Sequence, residues 1–181
     1  MLEILNKIKI DQVAIATKDS DKLIETLKQV GLTEWIKDKV VATGSVRGEE
    51  NQTNEANLAF NYQMGIEFEV LEYTQGKSWH NELRKLEGDA NFLSHIGFHL
   101  TDDKEVIAGG GEVILLSAEE KLQEIKAKML QLGYKVAQEV LTDSHTNEYL
   151  LKQKRKYHYV IFDTREEFGF DVKLIVRREN A

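Results

Sequence analysis

Asp11-Gln12-Val13-Ala14-Ile15 near the start and Ser94-His95-Ile96-Gly97-Phe98 in the second half are built alike, and each is answered later in the chain. The answering segments are Gly65-Ile66-Glu67-Phe68-Glu69-Val70-Leu71 and Gly169-Phe170-Asp171-Val172-Lys173-Leu174-Ile175. All four alternate with the period of two that a half-buried strand shows. Their apolar sets are Val13/Ile15, Ile96/Phe98, Phe68/Val70 and Val172/Leu174. Gln12, His95, Glu69 and Lys173 sit on the opposite face, one per segment. Three of these four can ligate a metal, so the repeat locates a candidate site before it names a reaction.

The segments between repeat as well. After the Gln12 strand, Asp19-Ser20-Asp21 offers helix caps, Leu23, Ile24, Leu27 and Val30 recur at helical spacing, and Gly31 can close the helix. In the second half a helix is expected from about Ser117 to Leu132, with Leu122, Ile125, Met129 and Leu132 on one face and Gly133 where Gly31 stood. Strand patterns follow over 34–46, 56–63 and 65–73, and again over 134–142, 157–164 and 169–176. The polar stretch from Gly48 to Asn54 reads as a loop. The expected organisation is a single domain over 1–181, with a first βαβββ module at 8–73, a connector at 74–92 and a second module at 93–177. In the connector Trp79, Leu83 and Leu86 suggest a short helix, with His80 an exposed neighbour of a packed Trp79. Gly109-Gly110-Gly111 interrupts the second module as a flexible linker or as a lid over the site.

Composition narrows the function classes. The 181 residues carry a formal charge of −7, which argues against nucleic acid, since that partner needs a basic face. The one basic cluster, Lys152 to Lys156, reads as a solvated loop or edge guard. No cysteine is present, so disulfides, thiolate nucleophiles and Cys-type zinc sites are excluded. No apolar run reaches the roughly 18 residues of a membrane span, and Met1–Lys7 has no apolar core of signal-peptide length. The expectation is a cytoplasmic protein acting on a small molecule, without nucleic acid or membrane as partner.

Solvent exposure is the simplest account of the four polar positions, because an antiparallel sheet often has one wet face. Two features argue for convergence instead. Ala14 and Ala16 beside Gln12, and Gly97 beside His95, are small enough to leave a hollow. The same position is also chemically loaded in both members of both pairs.

A βαβββ unit used twice, with these positions on its first and last strands, resembles the vicinal oxygen chelate superfamily, which includes glyoxalase I, extradiol dioxygenases and bleomycin resistance proteins. The resemblance implies an α+β fold: two βαβββ modules forming a curved, incomplete eight-stranded barrel. It also implies that the four positions are ligand positions, and Gln12, Glu69 and His95 match the glyoxalase I types. Lys173 departs from the pattern, standing where a glutamate ligand and base is expected. An ammonium has no lone pair for a metal.

Two readings of Lys173 stay open. In one, Gln12, Glu69 and His95 hold a divalent ion (Zn, Ni, Mn, Fe or Mg) with open positions for substrate oxygens. Glu69 and Lys173 are then the catalytic candidates of a lyase, isomerase or dioxygenase, with Lys173 donating a proton or holding an anionic intermediate. In the other, Lys173 pairs with Glu69, no metal binds, and the cup takes a small molecule as resistance-type members do. Glu67, His99 and Tyr62 are substrate-contact candidates, since Glu67 and His99 share strand faces with Glu69 and His95. Many members of the superfamily dimerise, and an exposed strand edge would give a homodimer its route.

Overall fold

The computed structural model describes residues 9–146 and 155–179, so Lys152, Gln153 and Lys154 of the basic cluster lie outside the described residues. The elements run β1 (Gln12–Ala16), α1 (Ser20–Gln29), β2 (Ile36–Val46), β3 (Glu49–Asn61), β4 (Glu67–Gly76) and α2 (Trp79–Glu87). Then come β5 (Phe92–Leu100), the hairpin β6 (Asp103–Val106) and β7 (Glu112–Leu116), α3 (Ala118–Gln131), β8 (Lys135–His145), β9 (Arg155–Asp163), α4 (Arg165–Phe168) and β10 (Asp171–Glu179).

Helix ends form where the caps predict. Asp19 accepts from the Lys22 backbone N–H, and Ser117 with Glu120 makes a reciprocal capping box on α3. Gly31 and Gly133 follow the two helices with φ of 101° and 93°, a region open mainly to glycine. α1 lays Ile24 on Ala59 and Val70, with Leu23, Leu27, Trp35 and Phe68 around them. α3 buries Leu122, Ile125 and Met129 against Val160, Phe162, Leu174 and Val176. Each such fully buried side chain contributes roughly 1.5–3 kcal/mol. With Phe68, Val70, Leu174 and Val176 committed to the helices, period two turns Glu67, Glu69, Lys173 and Ile175 the other way, into the barrel.

The eight main strands are ordered β1-β4-β3-β2-β8-β9-β10-β5, and β5 pairs again with β1. The two halves therefore use the same internal order, first strand, last strand, then the middle two. They join at β1–β5 (Gln12↔Gly97) and at β2–β8 (Val46↔Gln138 to Val40↔His145). The fold class is the one expected, with one correction. The barrel is closed rather than incomplete, because the β2–β8 seam is made. Closure also consumes the main-sheet edge on which pairing between copies was expected.

The polar stretch from Gly48 to Asn54 is not a loop. Arg47 and Gly48, at φ 49° and 79°, make a two-residue hairpin turn, and β3 begins at Glu49. Glu49, Glu50 and Asn51 at the start of β3 are exposed, and burial sets in only at Asn54. Residues 103–116 fold back on themselves as the β6–β7 hairpin, with Gly109 and Gly110 in its positive-φ turn. Its Val106, Ile107, Val113, Ile114 and Leu115 are exposed, and none of them lines the barrel cavity. The lid expectation finds no contact there.

α2 packs at one end of the barrel interior. Its Trp79 and Leu83 sit with Ala14, Ala16, Leu71, Phe92 and Ile161, while Leu86 faces solvent. The Trp79 backbone N–H donates to Gln138 Oε1 and its indole N–H to Asp171 Oδ2, both at 2.8 Å. No helix among the described residues is long and apolar enough to cross a membrane.

Candidate functional site

Gln12 on β1, Glu69 on β4, His95 on β5 and Lys173 on β10 meet inside the barrel, and all four are buried. His95 Nε2 lies 3.0 Å from Gln12 Oε1 and 3.2 Å from Glu69 Oε2. Lys173 Nζ lies 3.6 Å from the same Glu69 oxygen and 4.7 Å above the Tyr159 ring. Gly97 makes room for this: a Cβ there would lie 2.6 Å from Gln12 Oε1 and 2.8 Å from Gln12 Cβ. Ser94 Oγ is 3.1 Å from His95 Nδ1 and helps set the ring.

These contacts fix the charges. Burial pushes the Glu69 carboxyl up, but the Lys173 ammonium and the His95 ring beside it outweigh burial and hold the group at about 2. Burial and then Lys173 bring His95 down to about 4, so its ring is neutral near pH 7. One carboxylate and one ammonium cancel, and the buried quartet carries no net charge.

A second layer lies toward the mouth. Gln12 Nε2 donates to Glu67 Oε1 at 2.5 Å, while the Tyr62 hydroxyl (2.7 Å) and Arg177 Nη2 (2.5 Å) both reach Glu67 Oε2. Burial, followed by the Glu67 carboxylate, pushes the Tyr62 hydroxyl up and keeps it a donor. Glu67 is therefore engaged at both oxygens. His99 gives Nδ1 to Asp11 at 2.8 Å, its Nε2 has no hydrogen-bond partner, and it lines the cavity. Tyr62, 47% exposed, marks the opening. Arg177 and Asp11 were not expected here. The alternation of β10 through residues 173, 175 and 177 could have found Arg177, whereas Asp11 precedes its strand and no pattern marks it.

His80 is a correction. Expected at the surface, it is 3% exposed and lines the cavity floor. It stacks on Tyr73 at 5.0 Å and meets the His95 ring edge-on at 5.6 Å. The cavity and its open mouth together enclose about 760 Å³ of space outside the protein atoms. Its walls are apolar and aromatic, with Val40, Ala56, Leu58, Tyr73, Tyr159 and Ile175 among them.

The donor set can be weighed against a divalent ion. Spacings of 3.0 and 3.2 Å between Gln12, His95 and Glu69 atoms suit neighbouring ligands on one ion, and Glu69 Oε2 has no hydrogen-bond partner. The charge does not fit. Lys173 already neutralises the single carboxylate, so a dication would leave two uncompensated positive charges in a buried site. No group of three or more His, Asp and Glu side chains among the described residues is placed to hold a metal.

A closed barrel of two βαβββ units with paired inward positions on first and last strands is a glyoxalase-like fold. Among solved structures the chain is similar to a hypothetical protein from Bacillus halodurans C-125, 17% identical with a TM-score of 0.53, over 97% of this chain and 98% of that one. It is also similar to a Streptomyces coelicolor methylmalonyl-CoA epimerase in complex with 2-nitronate-propionyl-CoA, 17% identical with a TM-score of 0.45 over 93% of each chain. A methylmalonyl-CoA epimerase in complex with methylmalonyl-CoA and NH4+ gives 16%, a TM-score of 0.45, and 93% and 94% coverage. At these identities the likeness speaks for the fold alone. No protein-family model and no curated protein sequence matches the chain.

Proposed function

We propose that the chain is a metal-free small-molecule-binding protein that takes an oxygen-bearing ligand in its barrel cavity, in the manner of resistance and sequestration proteins of this fold. Gln12, Glu69, His95 and Lys173 form its polar end, and the Tyr-lined walls hold the body of the ligand. The observation that carries this reading is the Lys173–Glu69 pair, 3.6 Å apart, which cancels the charge a dication would need. His99 and Tyr62 contact the ligand near the mouth, and Glu67 holds the mouth together through Gln12, Tyr62 and Arg177.

The unpartnered Glu69 Oε2 and the ligand-like donor spacing favour a second reading. In it, Gln12, Glu69 and His95 hold a divalent ion of a lyase, isomerase or dioxygenase, and the ion supplies Lewis-acid polarisation of substrate oxygens. Lys173 and Glu69 would then orient and protonate the substrate.

The charge of residue 173 separates the two. Titration of the parent with Mn2+, Ni2+ and Zn2+ by calorimetry is expected to give no stoichiometric binding. Lys173→Glu makes the set doubly negative and is expected to tighten metal binding by on the order of 100-fold, the scale on which ligand-shell partners set affinity. Stoichiometric metal in the parent would overturn the metal-free reading and favour the enzyme.

A further inference from the structure

Among the described polar groups that line the cavity, His80 is the one supplied by a helix. It is carried on α2, outside the eight barrel strands. Neither of its ring nitrogens has a hydrogen-bond partner, although the ring is 97% buried by its 3% exposure. A buried unmade hydrogen bond costs about 1–3 kcal/mol. The ring is held there by its neighbours: Trp79 beside it is anchored to Gln138 and Asp171, and Tyr73 stacks flat against it at 12°. It is thus oriented before any ligand arrives.

Burial, then the nearby His95 and Lys173, keeps the His80 ring neutral. A neutral imidazole offers one N–H donor and one lone pair. Glu69 Oε2 at the deep end of the cavity makes no well-aligned hydrogen bond, although His95 Nε2 and Lys173 Nζ lie 3.2 and 3.6 Å away, and it can only accept. A hydroxyl satisfies both, accepting from the imidazole N–H and donating to the carboxylate. A carboxylate or phosphate cannot donate to Glu69, and would add charge to a set already neutral. An ammonium would compete with Lys173 for the same oxygen.

We propose that His80 is the residue that recognises the ligand, and that what it recognises is a neutral hydroxyl on an aromatic or otherwise apolar body. This rests on the cavity being a ligand site, as proposed above. Ile175, Leu58 and Val40 provide the apolar wall for the body, and Tyr73 and Tyr159 provide ring faces.

Phenol, toluene and benzoate, matched in size, serve as probes in ligand-observed NMR titrations of the parent and of His80→Phe, which keeps the stack on Tyr73 and removes both nitrogens. In the parent, phenol is expected to bind about tenfold tighter than toluene, the scale of one net hydrogen bond, and benzoate more weakly than either. In His80→Phe the phenol preference shrinks to what the Glu69 acceptor alone supplies and toluene binds as before, while His80→Asn retains more of the preference. In the parent itself, phenol but not toluene is expected to move the His80 ring nitrogen resonances, a readout that needs no variant to fold. A phenol preference unchanged in His80→Phe, or ring resonances that do not respond to phenol, would overturn the role of His80 and leave the cavity reading standing. Failure of all three probes to bind the parent would sink the cavity reading and this role with it.

Discussion

Two buried histidines in this protein are surrounded by the same kinds of side chain and are shifted in opposite directions. Inside the barrel His95 has Glu69 and Gln12 at its Nε2 and Lys173 close by, and it is brought down to about 4. On the side of the barrel that α3 covers, His158 gives Nδ1 to Glu119 at 2.7 Å and Nε2 to Glu139 at 3.1 Å, while Lys126 holds Glu139 at 2.6 Å. Burial lowers His158, but the two carboxylates outweigh it and raise the group above its ordinary value. Position decides the difference: deep burial and then Lys173 lower His95, whereas the two carboxylates that bracket His158 raise it. The outer cluster spends both ring nitrogens on ion pairs and ties a helix to two strands. The inner one leaves Glu69 Oε2 and both His80 nitrogens unmade. A completed network holds structure together, whereas an incomplete one at the floor of a cavity is what a ligand would finish.

The sharpest way to break this contrast is to unpair the inner lysine. Glu69→Gln leaves the Lys173 ammonium buried without its carboxylate and is expected to cost about 3–5 kcal/mol in urea unfolding. Glu69→Gln combined with Lys173→Met removes both charges and is expected to recover most of the loss. A single variant no less stable than the double would show that the pair is not coupled.

Acid unfolding sharpens it next. His80 and His95 are depressed in the folded protein, so the stability they contribute is present above about pH 6.5 and is lost as pH falls toward the folded value of about 4 for His95. Asp171, raised to about 6 chiefly by burial, works the other way: its contribution is present below about 4 and is lost as pH rises through 6. His158, raised, also contributes below about 6.5 and loses that as pH rises through its folded value. Two protons taken up on unfolding by His80 and His95, less one released by Asp171, leave a net of one. The unfolding free energy is then expected to fall by about 1.4 kcal/mol per unit between pH 6 and 5. His80→Phe should flatten that limb. His158→Gln should instead remove the decline of stability above pH 6.5, and identical profiles for the two variants would erase the distinction between the clusters.

The smallest effect is expected away from both clusters. Leu115→Thr on the exposed β6–β7 hairpin should change stability by no more than about 0.5 kcal/mol, as surface substitutions do, and leave phenol binding unaltered. A change in ligand affinity would restore a lid role to the hairpin.

Much of the fold was legible because its signals are local. The period of two at Glu67–Leu71 and at Asp171–Ile175, the Asp19 and Ser117 caps, and Gly31 and Gly133 each report on neighbours within a few residues. The quartet was legible through the repeat, since equivalent positions in duplicated halves meet at the seam. What escaped has no local signature. β3 began at Glu49 because two consecutive positive-φ residues replaced a loop, and Arg47 is not a residue that announces one. His80 looked like surface because a nine-residue helix with Leu86 exposed gives a weak facing signal. Only the anchoring of Trp79 by Gln138 and Asp171, 59 and 92 residues away, turns that ring inward.

Alternation and capping by themselves determined which residues face the barrel lumen, since those rules act along the chain. Barrel closure, the neutral charge of the quartet and the arrival of a fifth polar side chain from α2 were decided by the tertiary structure alone. They depend on distances between residues far apart in the chain, and electrostatic energy in a buried site is a function of those distances and of nothing that sequence spacing encodes.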